Sequence, residues 1–136
     1  VCEDIVAPIT DLHMAKLLNE EALKQGKKLK CHILLDTGAL ALSKDISAHD
    51  EHPEVGYGEV CNVDTLEPFD DLVVDAVSQE HGIVPVSNPA QFDALPIGSQ
   101  VRILPNHACI TAAGYSHYEV LEDSTIIGRW DRVNGW

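Results

Sequence analysis

Residues 11–25 are the only stretch of the chain in which apolar side chains recur at helical spacing, and this feature restricts the possible folds most strongly. Gly26 stands where a C-terminal helix cap belongs. An apolar run at 29–35 follows, which predicts a buried strand ending in a turn at 36–38. We therefore expect residues 1–38 to form one α/β unit. The apolar face of its helix consists of Met14, Leu17, Leu18 and Ala22, and the candidate N-terminal caps are Thr10 and Asp11.

After Gly38 the pattern changes to short β-type runs separated by turn signals, with no further helix of useful length. The overall prediction is an α+β, mainly β, fold in which residues 39–136 form a small antiparallel β-barrel or sandwich domain. A single helix cannot build a closed α/β barrel, so the α/β unit must bury its apolar faces elsewhere. The predicted strands are 72–78, 83–86, 100–104, 118–121 and 125–131.

The net charge of the 136 residues is −13, and it is unevenly distributed. Between Asp45 and Val101 there are twelve Asp or Glu residues and no Lys or Arg. Such a surface repels nucleic acids and anionic membranes, so we expect neither as a partner. A solvated acidic face is the simpler interpretation, and docking to a basic protein surface is the alternative.

Localisation is predicted from what the sequence lacks. It contains no apolar run of about 18 residues, and its N-terminus has neither the basic start nor the apolar core of a secretory signal. We therefore expect a cytoplasmic protein. The four cysteines form no Cys-x-x-Cys pair, which favours free thiols over a disulfide framework.

The segment LPNHAC, at 104–109, carries the most suggestive chemistry. If it continues a strand, His107 and Cys109 project from the same face, and imidazole with thiolate suits Zn²⁺. His81, in SQEHG, is a possible third ligand, and Glu80 beside it could be a ligand, a partner of a ligand or a general base. The alternative is an incidental core cysteine next to a polar histidine.

Other polar and aromatic residues have simpler interpretations. The loop that contains His49, Asp50 and His52 is expected to be solvent-exposed and metal-free. Tyr57, between two glycines, is expected to serve packing rather than to reach a site. Beyond the His-x-Cys segment, Tyr115 and Tyr118 are expected to be wall residues of the site. The tryptophans, Trp130 and Trp136, are expected to anchor the apolar core or a subunit contact.

From about Ile33 onward the chain resembles the C-terminal domain of the D-serine dehydratase-like family, which includes relatives of D-threonine aldolase and belongs to the fold-type III pyridoxal phosphate (PLP) enzymes. The matching stretches are LLDTGALALSKD, GYG, SQEHG, VRILPNHACITAA and WDRVNGW. The resemblance implies PLP in an N-terminal barrel and a divalent metal, usually zinc, held by His107 and Cys109. It also implies that the metal acts on the β-hydroxyl of a D-amino acid while the cofactor stabilises the α-carbanion.

Residues 1–38 are instead similar to the helix–strand unit of alanine and serine racemases. Leu34 stands where that pattern has a lysine, and Ala41 stands where it has an arginine. Only the shape of the unit is therefore expected to be shared, without racemase chemistry.

Both families hold PLP through a lysine near the start of the barrel, and no lysine of this chain matches that motif. The resemblance thus implies the metal-binding C-terminal portion of a D-amino acid lyase, by elimination or aldol cleavage. It would be inactive alone and would use PLP only if another chain supplies the barrel. Expected partners are a D-amino acid in the complete enzyme and a barrel domain or a second copy. The alternative is a non-catalytic β-module for binding or oligomer assembly, and a small zinc hydrolase with Glu80 as base is a third hypothesis.

Overall fold

The computed structural model describes residues 12–28, 30–46 and 55–133. The chain divides into two compact units, Val1–Cys31 and His32–Trp136. Within the described part of the chain, no helix has the length and apolar character needed to cross a membrane.

The first unit contains helix α1, Leu12–Lys24, which confirms the helix predicted at 11–25. Its end has the hydrogen bonds of a left-handed cap, since the Lys27 amide donates to the Ala22 carbonyl at 2.9 Å. Gly26 adopts a φ of +63° at this point, a conformation that glycine takes without a steric penalty. The candidate N-terminal caps Thr10 and Asp11 lie outside the described residues.

The second unit is built mainly from short strands. Its elements are β1 (His32–Leu35), α2 (Ala39–Leu42), β2 (Gly58–Asn62), β3 (Pro68–Val73), β4 (Ala76–Val77), β5 (Gly82–Pro85), α3 (Ala90–Ala94), β6 (Val101–Pro105), α4 (Ala108–Ala113), β7 (His117–Glu122) and β8 (Thr125–Asp131). Three antiparallel sheets have the orders β1-β5-β4, β3-β2-β6 and β7-β8, and among the described residues they do not close into a barrel. This arrangement confirms the α+β, mainly β, class.

Strand β1 is shorter than the apolar run at 29–35, and the prediction that this strand is buried was wrong. It pairs antiparallel with β5, with Leu34 opposite Ile83. Its side chains alternate, so Leu34 is 56% exposed while Ile33 and Leu35 pack against the core. The strand therefore belongs to the second compact unit and covers one edge of its core.

The run predicted as one strand at 72–78 passes from one sheet to another. The Val74 amide donates to the Gly58 carbonyl of β2, and the next amide, Asp75, donates to the Ile83 carbonyl of β5. The apolar pattern is continuous because the segment remains in the core while its backbone partners change. Five buried residues from both sheets and α2 form this core: Leu42, Val60, Leu72, Val74 and Val84.

The β7–β8 hairpin lies outside this core. Tyr118 is opposite Trp130 across the two strands, and Trp130 is 67% exposed. Trp130 is therefore not a core residue, and its role in a subunit contact stays a prediction. Trp136 lies outside the described residues. Described acidic side chains between 55 and 101 are exposed apart from the half-buried Glu59, as expected for a solvated acidic surface.

Candidate functional site

The segment that contains His107 and Cys109 is not a strand, which corrects the geometry expected from the sequence. Strand β6 ends at Pro105, and His107 is the N-terminal cap of α4 with φ −119° and ψ 104°. Cys109 is the second residue of that helix. The two side chains therefore stand on either side of a change from extended to helical backbone, and the same-face rule for strands does not apply to them.

Asn106 redirects the chain between β6 and α4. Its amide donates to the Tyr57 carbonyl at 3.1 Å, and its side-chain Nδ2 donates to the Gly56 carbonyl at 2.9 Å. Position 56 requires glycine for a separate reason, since its φ is +48° and a Cβ atom there would lie 2.5 Å from the Val74 carbonyl oxygen. The GYG motif thus holds the backbone of the His107 segment, and the Tyr57 side chain packs against the core as predicted.

His107 is paired with an acidic residue from a distant part of the chain. Its Nδ1 lies 2.5 Å from Oδ2 of Asp45, which follows α2. The His107 side chain is 24% exposed and that of Asp45 is 44% exposed, so this hydrogen bond forms at the surface without being fully solvated. In the sequence alone, Asp45 stands out only as one member of the acidic segment. Its place in the matching stretch LLDTGALALSKD is the one signal that could have marked it.

Helix α4 is tied to α2 through its polar side chains. Thr111 Oγ1 lies 2.8 Å from both the Leu42 carbonyl and the His107 carbonyl. The Tyr115 hydroxyl donates to the Ala41 carbonyl at 3.3 Å. These contacts bring the end of α2, and with it Asp45, next to the start of α4.

The thiols of the described cysteines are free, as predicted, but their environments differ. Cys109 is exposed, Cys31 is half-buried and Cys61 is buried. Burial raises the pKa of the Cys61 thiol, an effect that the backbone hydrogen bond at Leu104 opposes and that the nearby Glu59 carboxylate reinforces. Cys109 is thus the most accessible of these three thiols to a ligand from solution.

His81 and Glu80 are exposed in the turn between β4 and β5. That turn is bound to the start of α2, since the Ala39 amide donates to the Ser78 carbonyl at 2.8 Å. Across the described ranges, no three His, Cys, Asp or Glu side chains come together as a group able to hold a metal ion. The structure thus brings His107 to Asp45, and His81 as third ligand stays a prediction. His49, Asp50 and His52 lie outside the described residues.

Comparisons with known proteins agree on one family. Residues 22–121 match the family described as putative serine dehydratase domain. The chain is 34% identical over 107 residues to D-threo-3-hydroxyaspartate dehydratase of Delftia sp., a match that covers 76% of this chain and 28% of the relative. It is 38% identical over 110 residues to D-serine dehydratase of Dictyostelium discoideum, covering 76% of this chain and 26% of the relative.

Solved structures give the same result. An alanine racemase-like protein of Idiomarina loihiensis is 42% identical with a TM-score of 0.68, covering 77% of this chain and 28% of that chain. Two variants of D-threo-3-hydroxyaspartate dehydratase, each 30% identical over 77% of this chain and 28% of theirs, also match. One has a cysteine replaced by alanine and is in the metal-free form (TM-score 0.67), and the other has a histidine replaced by alanine (TM-score 0.68).

The fold and these matches define a C-terminal domain of the serine dehydratase-like kind. The chain belongs to the serine dehydratase domain family. It spans less than a third of the length of the Delftia and Dictyostelium relatives.

Proposed function

We propose that this chain is the metal-binding C-terminal portion of a PLP-dependent lyase that acts on a D-β-hydroxy amino acid. His107 and Cys109 would hold a divalent metal ion, zinc by preference. The relatives named as dehydratases favour elimination of the β-hydroxyl over aldol cleavage. The barrel domain would come from another part of a longer protein or from a partner chain.

The observation that carries the metal site is a matching pair of residue types. In the two variants of D-threo-3-hydroxyaspartate dehydratase, the replaced histidine stands two positions before the replaced cysteine, and the cysteine variant is in the metal-free form. His107 and Cys109 have the same spacing, within the residues that match the family. This correspondence supports the same role for the pair in the present chain.

The donors of the pair fit zinc chemically. Zn²⁺ is bound by imidazole nitrogen and thiolate sulfur, and catalytic sites keep a position open for water or substrate. Cys109 is exposed, and Asp45 occupies only Nδ1 of His107, which leaves Nε2 for a ligand bond. When bound, the metal would supply a Lewis acid for the leaving β-hydroxyl. The roles of His107 and Cys109 are to hold and orient it.

The lysines of the chain do not fit a PLP site. A Schiff-base lysine needs a desolvated pocket, whereas all six lysines are exposed: Lys16, Lys24, Lys27, Lys28, Lys30 and Lys44. We therefore assign PLP to the barrel domain and not to these residues. The same observation favours the second candidate function, a β-module that serves binding or oligomer assembly without catalysis.

Metal content tests the proposed site directly. Elemental mass spectrometry of the purified chain should find about one zinc ion per chain, and both His107→Ala and Cys109→Ala should lose it. His13→Ala, on exposed α1, and Cys31→Ser are the matched controls and should keep it. A folded wild-type chain without metal, or retention of zinc in both site variants, would contradict the proposal.

Reconstitution separates the two candidate functions. The barrel portion of the Delftia or Dictyostelium relative is mixed with this chain, and keto acid release from D-serine or D-threo-3-hydroxyaspartate is measured. The lyase proposal expects activity that depends on both parts and disappears with Cys109→Ala. Stable association without activity would favour the β-module.

A further inference from the structure

The Asp45–His107 contact links two surface segments that are 62 residues apart in sequence. An ionised carboxylate has only acceptor oxygens, so the imidazole nitrogen that it contacts must carry the hydrogen and donate it in the hydrogen bond. In neutral His107 this places the hydrogen on Nδ1 and leaves the lone pair on Nε2. The hydrogen bond therefore selects the tautomer that can bind a metal through Nε2.

We infer that Asp45 is a positioning residue for the proposed metal ligand His107. It fixes the tautomer and the orientation of the imidazole ring before any metal is present. The inference rests on the proposed metal site, and it adds a residue that neither the His-x-Cys motif nor the relatives' descriptions point to.

Both partners are on backbone that is held in place independently of the contact. On one side, Ser43 is buried and its Oγ accepts a hydrogen bond from the Asp45 amide at 3.1 Å. On the other side, Asn106 is bonded to the GYG turn, and Thr111 bridges the His107 and Leu42 carbonyls. Because neither backbone segment depends on the proposed metal ion for its position, the Asp45–His107 pair is preorganised for metal binding.

The variant Asp45→Asn distinguishes a residue that sets the tautomer of His107 from one that only joins the two surface segments. The amide of asparagine can accept from Nδ1–H or donate to Nδ1, so a merely structural hydrogen bond would survive. Donation to Nδ1 would move the imidazole hydrogen to Nε2 and block the ligand nitrogen. We therefore expect weaker zinc binding in this variant without a matching loss of fold.

The first measurement is zinc affinity of the full chain by competition with a chromophoric chelator. Asp45→Ala and Asp45→Asn should each weaken zinc binding by about 10–100-fold, the range seen when the outer partner of a ligating histidine is removed. Asp93→Asn makes the same change of charge at an exposed site on α3 and should leave the affinity within about threefold. Circular dichroism melts verify that the variants fold.

The second measurement is the ¹⁵N spectrum of His107 in the metal-free chain, which distinguishes the two tautomers without any metal. Wild type should show the Nδ1–H form, and Asp45→Ala should show a mixture. If both Asp45 variants bind zinc like wild type while His107→Ala does not, the inference is wrong and the proposed metal site stands. If wild type binds no zinc, the proposed site fails, and the spectrum still decides whether Asp45 sets the tautomer.

Discussion

Gly38 lies against the backbone of His81 so closely that a side chain at position 38 has no room. A Cβ atom there would come within 3.0 Å of the His81 amide nitrogen, and 2.5 Å from the Glu80 carbonyl carbon. The Asp-Thr-Gly turn and the SQEHG turn are therefore in van der Waals contact through their main chains. The SQEHG turn, for which the sequence suggested chemistry, thus also has a structural role against the turn at 36–38.

Gly38→Ala should destabilise the chain by about 2–3 kcal/mol, because the clash is with backbone that cannot rotate away. Gly128→Ala is the matched control, since a Cβ atom there meets nothing within 4 Å. Urea unfolding followed by circular dichroism measures both. Equal unfolding free energies for the two variants would show that the turns are not packed as described.

Leu72→Ala should lower the free energy of unfolding by about 2–5 kcal/mol, because it removes a fully buried side chain shared by the two three-stranded sheets. Ile97, 79% exposed, provides the control, and Ile97→Ala should change stability by less than about 0.5 kcal/mol. Thermal and urea unfolding check the difference. A small change in the free energy of unfolding for Leu72→Ala would show that Leu72 is not part of the core.

Cys61 should react with iodoacetamide far more slowly than Cys109. The thiolate is the nucleophile, and burial both raises the pKa of Cys61 and blocks access to its sulfur. Peptide mass spectrometry of timed alkylation at neutral pH gives the order of modification. The assignment would be contradicted if Cys61 were modified as fast as Cys109 in the folded chain.

The same raised pKa makes stability depend on alkaline pH. Below the ordinary value of 9.0 the thiol is neutral in both the folded and the unfolded chain, and its full contribution is present. Above pH 9.0 the Cys61 thiol ionises in the unfolded chain, while in the folded chain it stays protonated up to its raised pKa. Its contribution to stability is therefore lost as the pH rises through that raised pKa. Stability should therefore fall more steeply above pH 9.0 in wild type than in Cys61→Ala, measured by urea unfolding.

The helices and strands that could be predicted are those that a short stretch of the sequence determines by itself. Helix α1 and strand β8 follow from apolar spacing and adjacent turn residues, and β8 has the predicted bounds 125–131. Strand β2 was missed because its five residues begin at Gly58, inside a turn signal. Helices α2, α3 and α4 have four to six residues, too few for a period to be recognised.

The residues of the candidate site likewise divide into those that the sequence alone identified and one that only the folded structure reveals. His107 and Cys109 were identified from residue type, whereas Asp45 could not be, because its pairing depends on the packing of α2 against α4. The prediction of a strand through Cys109 failed for a related reason. Asn106 leaves the strand direction in order to bond to Gly56 and Tyr57, which are some 50 residues earlier in the chain.

The separation of Asp45 from His107 also has a consequence for the order of folding. Strands β2 to β6 all lie between the two residues in sequence, and closing so long a loop becomes favourable only when those strands have paired. The hydrogen bond should therefore be among the last contacts to appear during refolding. The rate at which His107 acquires its final environment would then report the completion of the two three-stranded sheets and the core between them.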